Sequence, residues 1–113
     1  FRHIRTFKPR RQAGVARFLK HMHGFLAFAR HETCSNALIE AISCQLPCIY
    51  IDSGSNKELI GSHGIQLNVN NPGSSFQHFR QQYSSLAPSS FQSDRFDIRS
   101  IAASYYELFS SYV

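Results

Sequence analysis

An alternation between two hydrophobic periods restricts this chain more than any other feature. Gly24-Phe25-Leu26-Ala27-Phe28 and Cys48-Ile49-Tyr50-Ile51 are short continuous apolar runs. Their length and make-up suit strands covered on both faces. Around them apolar residues recur at helical spacing. Val15, Phe18, Leu19 and Met22 predict a helix near residues 10–22. Ala37, Leu38, Ala41 and Ile42 predict a second, capped by Ser35 or Asn36 and running to about Cys44. Strands alternating with helices imply right-handed crossovers and a parallel sheet, so the predicted fold class is α/β.

The rest of the chain extends this pattern. Pro47 opens the second strand, and Asp52 to Asn56 is turn chemistry. Lys57 to Ile60 reads as a short helical turn ending at Gly61, and Gly64 to Leu67 as a weak third strand. Asn70-Asn71-Pro72-Gly73 reads as a break. Phe76, Phe79, Tyr83 and Leu86 mark another helix, and Ser84 to Ser93 reads as a loop. A last helix starts behind Asp94–Asp97, with Ile98, Ile101, Ala102, Tyr105, Leu108 and Phe109 in one stripe. Phe1 to Ile4 is too short to assign, though it could close a strand. Parallel sheets bind ligands beyond the carboxyl ends of their strands. That rule gathers Arg30 to Asn36 and Asp52 to Lys57 into one crevice.

Composition narrows the class. A chain of 113 residues with 42% hydrophobic content suits one packed domain. No apolar run approaches the roughly 20 residues that cross a bilayer. The chain begins with Phe1 and shows no signal peptide, so a piece of a longer or processed protein is expected. Cys34, Cys44 and Cys48 lack zinc-site spacing and read as reduced thiols, and no metal site is expected. The net charge of +5 is uneven: Arg2, Arg5, Lys8, Arg10, Arg11, Arg17 and Lys20 all precede the first acid, Glu32. Such an end suits a solvated face, an anionic ligand or an anionic membrane surface. Nucleic acid is not expected, because Phe7 and Phe18 read as core rather than as a stacking platform.

Three ordered segments carry a family resemblance. Glu32-Thr33-Cys34-Ser35-Asn36-Ala37-Leu38-Ile39-Glu40 resembles the Glu-x7-Glu motif of retaining glycosyltransferases with the GT-B fold. Ala41 to Pro47 resembles that family's Ala-x-x-x-Gly-x-Pro, with Gln45 in place of the usual Gly. Asp52-Ser53-Gly54-Ser55-Asn56-Lys57-Glu58-Leu59 resembles its strand-end Gly loop followed by Glu-Leu. The likeness spans about residues 10–68. It implies a partial Rossmann-like sheet flanked by helices, the C-terminal half of a donor-binding domain. On this reading residues 1–113 are a single partial domain, and the N-terminal acceptor domain is absent.

The resemblance also implies roles. Glu32 is the sugar-side, catalytic carboxylate, and Glu40 binds the donor ribose. Cys34, Ser35, Asn36, Ala37 and Leu38 face the diphosphate, in keeping with the unpaired amides and partial positive charge of a helix start. Gly54, Asn56 and Glu58 are expected near the donor sugar or nucleotide, while His31 beside Glu32 reads as an exposed loop residue, with donor contact as the alternative. The implied partners are a nucleotide-diphosphate sugar, a glycan or glycolipid acceptor and the missing N-terminal domain; no cofactor or metal is implied. The expected activity is retaining, hexosyltransferase-type transfer, in the service of polysaccharide synthesis, with the isolated piece inactive. Its expected place is the cytoplasm or the inner membrane face. The alternatives are an inactive nucleotide-sugar-binding remnant and a GT-B nucleotide-sugar epimerase.

Overall fold

The computed structural model describes residues 3–86 and 97–112. Its elements run α1 (Gln12–Leu19), β1 (Phe25–Ala27), α2 (Asn36–Ser43), β2 (Cys48–Tyr50), α3 (Asn56–Ile60), a 3-10 turn (Gly61–His63), β3 (Gly64–Gln66), α4 (Pro72–Leu86) and α5 (Ile98–Ser110). The strands form one parallel sheet in the order β1-β2-β3, flanked by helices, as expected of a partial Rossmann-like fold. Phe25 lies opposite Cys48, and Cys48 opposite Gly64.

The core sits where α2 meets the sheet. Leu38 and Ile42 pack with Ala27, Cys48, Tyr50 and Ile60, while Ala41 joins Leu19 and Leu46 in a second cluster under α1. Full burial of a Leu or Ile side chain stabilises by about 1.5–3 kcal/mol, so the stripe read from residues 37–42 anchors the fold. Burial also pushes the Cys48 thiol up to about 12, which keeps it protonated and inert, whereas Cys34 is exposed. Among the described residues no helix is long and apolar enough to cross a membrane.

At the end of α2, Gln45 stands where the family pattern usually has Gly. Gln45 takes the left-handed conformation, φ 62°, that Gly usually supplies. Its amide donates to the Ile42 carbonyl, and the Leu46 amide donates to the Ala41 carbonyl. This closes a Schellman cap, with Leu46 packed on Ala41. A left-handed residue with a Cβ costs roughly 1–2 kcal/mol, offset in part by the entropy Gly loses on folding. Gln45→Gly should therefore raise the stability by about 0.5–1 kcal/mol, read as a higher urea midpoint at unchanged slope.

Two expectations are corrected. Pro72 and Gly73 do not break the chain; they open α4, where Pro is tolerated because its missing amide would lack a helical partner. The Asn71 side chain accepts from the Ser74 amide and helps start that helix. Ser84 and Ser85 continue α4 to Leu86, with the Ser85 hydroxyl satisfied by the Gln82 carbonyl; residues 87–93 of the expected loop lie outside the described residues. Ile4 is exposed and in no strand, and Phe1 lies outside the described residues. The last helix forms as expected, capped by Asp97 through the Ser100 amide, and its apolar stripe is largely exposed. Ile98 is 75% exposed and Phe109 64% exposed. Asp94 lies outside the described residues.

Candidate functional site

The site grows from the carboxyl ends of β1 and β2, where each strand passes into a polar loop. The first loop turns sharply at His31, a non-glycine residue at φ 59°. Its amide donates to the Ser53 hydroxyl of the second loop, 3.0 Å away. Beyond it the Glu32 carbonyl accepts from the Ser55 amide at 3.0 Å. Gly54 sits between these two bonds at φ 59°, with its α-carbon pressed against the Glu32 backbone. A strained non-glycine conformation costs on the order of 1–3 kcal/mol and persists where its surroundings dictate it.

Asn56 ties the loops from below. It is 1% exposed, and its side-chain amide donates to the Ala29 carbonyl at 3.1 Å and the Ile51 carbonyl at 3.2 Å. Those two carbonyls belong to the last turns of the chain before each loop. A buried amide with two good partners is stabilising, whereas an unpartnered one is costly. The sequence reading placed Asn56 outward with Gly54 and Glu58; its side chain instead points into the fold.

The first loop then leads into α2. Ser35 is its N-cap, and the Ser35 hydroxyl accepts from the Leu38 amide at 3.4 Å. Leu38 itself is buried core. The Ile39 amide is taken by the Ser35 carbonyl, which leaves the Asn36 and Ala37 amides at the open end of the helix. Asn36, Ala37 and Cys34 are exposed. Glu32 is exposed on the loop, and Glu40 is half-buried within α2. Glu58 lies exposed in the first turn of α3.

A cleft of about 400 Å³ opens beside these loops, lined by Arg30, His31, Ile51, Asp52, Ser53, Gln66, Leu67 and Val69. Asp52 is also paired with Lys57 at 3.8 Å. The structure thus brings the Glu32 and Gly54 loops together and sets His31 at the cleft, while Glu40, Asn36 and Ala37 lie along α2 outside its lining. Gln66, Leu67 and Val69 were not singled out from sequence. The rule that ligands sit beyond strand carboxyl ends, applied to the weak third strand, would have found them.

The polar loops and the cleft thus gather beyond the carboxyl ends of a parallel sheet, where such sheets bind ligands. The model of the family described as "Glycosyl transferases group 1" matches residues 2–85. The chain belongs to this family of glycosyltransferases. No curated protein and no solved structure matches it.

Proposed function

We propose that the chain is the nucleotide-sugar-binding part of a retaining glycosyltransferase of GT-B architecture, transferring a hexose-type sugar to a glycan or glycolipid acceptor. The observation that carries the reading is the joined pair of loops at the sheet edge, with the open end of α2 beside them. The donor diphosphate would lie at the Asn36 and Ala37 amides, where partial positive charge favours an anion. Ser35 supports that contact by capping the helix, and Cys34 borders it. The Leu38 amide is already engaged, so Leu38 serves by anchoring the helix start. Glu40, one turn further on, would accept hydrogen bonds from the ribose hydroxyls, and its half-buried setting supports charge-assisted bonds. Glu32 would face the sugar, where positive charge develops as the diphosphate leaves. Gly54 and Glu58 border the same sugar from the second loop. The acceptor and the opposing wall of the cleft would come from another domain. Polysaccharide or glycolipid assembly on the cytoplasmic side fits such a donor.

Steady-state kinetics of the complete enzyme test this division of labour. Glu32→Gln should mainly lower kcat, because its charge matters most in the transition state. Glu40→Gln should mainly raise the donor KM, by the equivalent of about 1–3 kcal/mol for one lost hydrogen-bonding partner. Equal loss of kcat in both variants with KM untouched would refute the assignment. Wild-type kinetics in both would favour an inert nucleotide-sugar-binding remnant.

A further inference from the structure

We propose that the outward face of α1, with the segment that leads into it, docks on an anionic lipid bilayer. Arg5, Lys8, Arg10, Arg11, Arg17 and Lys20 are all exposed. Among the described residues none of the six is paired with a carboxylate, whereas Lys57 is. No acid occurs before Glu32 to offset them. The helix turns Val15, Phe18 and Leu19 inward against Ala41 and Leu46. Helical periodicity then sets Arg17 and the C-capping Lys20 on the opposite side of the helix.

Apolar side chains accompany the charge. Ile4 is 66% exposed and Phe7 53% exposed. The Phe7 ring lies 4.8 Å from that of Phe18, and the Arg10 guanidinium covers both rings at 5.6 and 5.5 Å. These contacts hold the leading segment against the Phe18 edge of α1, so its cations and apolar side chains border the helix. Lipid interfaces reward that combination: anionic headgroups attract clustered Lys and Arg, and the acyl boundary takes up exposed apolar side chains. Nucleic acid fits it less well. Phe18 and Arg10 already occupy the Phe7 ring, which leaves no stacking platform for a base, and aliphatic Ile4 offers nothing to a phosphate.

Cosedimentation of the 113-residue chain with vesicles tests the proposal. One set is phosphatidylcholine alone, and the other carries roughly 30% phosphatidylserine. Binding to the anionic vesicles alone is expected, weakening at least about tenfold between about 50 and 300 mM salt as the charges are screened. Lys8→Glu, Arg17→Glu and Lys20→Glu combined should lower the low-salt affinity by at least about tenfold, with the thermal midpoint unchanged. The lipid and salt arms use the wild-type chain, so they stand even if this variant misfolds. Equal binding to neutral vesicles would assign lipid contact to the apolar face of α5 and overturn the proposal. So would no binding to anionic vesicles at low salt, undiminished binding by the folded charge-reversed variant, or displacement from the vesicles by duplex RNA at equal phosphate.

Discussion

Gly54→Ala should destabilise this chain by about 2–5 kcal/mol. Two separate costs add. An L-residue at φ 59° loses roughly 1–2 kcal/mol, and a Cβ there falls within contact distance of the Glu32 carbonyl oxygen and amide nitrogen. Those are backbone atoms and cannot turn aside as a side-chain tip could, so overpacking adds about 1–3 kcal/mol more. The thermal midpoint should fall by on the order of 10 °C. Gly61→Ala is the matched control. Gly61 also has positive φ, 56°, but a Cβ there meets open space. Its cost should lack the overpacking contribution and stay at about 1–3 kcal/mol, set by its own backbone angles of φ 56° and ψ −126°. If the Gly54→Ala variant melts within a few degrees of wild type, the close approach of the two loops is not as described.

Asn56→Asp should be nearly as damaging and, unlike Gly54→Ala, dependent on pH. The substitution keeps the shape but aims a carboxylate oxygen at the Ala29 and Ile51 carbonyls in place of the donor that now bridges them. A buried charge without a partner costs about 3–5 kcal/mol. Both burial and the facing carbonyls favour the protonated acid, so the folded-state pKa of the new carboxyl lies above its unfolded value of about 3.9. Stability is then best retained below that unfolded value and is lost as pH rises through the folded one. Urea unfolding of the variant at about pH 4 and at pH 7, each against wild type at the same pH, should show the larger deficit at pH 7. Asn56→Leu removes the donor without adding charge. It should cost about 1–3 kcal/mol at either pH. An Asn56→Asp deficit that does not change with pH would mean the side chain faces solvent.

These two residues show where sequence reasoning stopped. Strands and helices around residues 25–60 were legible because run length and spacing encode them directly. Ser35 was legible as a cap, and the meeting of two strand-end loops followed from parallel topology. The direction of the Asn56 side chain was not legible, because its partners include a carbonyl 27 residues away that only the folded chain brings near. Turn-forming Asn reads outward by habit. Gln45 and His31 adopt left-handed backbones without the Gly that would signal them. In α5 the period announced an amphipathic helix correctly, yet a period says nothing of what covers the apolar side. Pro72 was read as a stop when its place before a helical run made it a start.

The bonds that join the first loop to the second have a consequence for recognition. His31 to Ser53, Glu32 to Ser55 and Ala29 to Asn56 each close a span of more than twenty residues. The conformational freedom of both loops is thus surrendered when the chain folds, not when a ligand arrives. A molecule landing on this edge meets groups already fixed in relation to one another, so little of its contact energy is spent on ordering the protein. Selectivity then rests on fit to a rigid template, and a ligand of the wrong shape cannot recover affinity by reshaping the loops.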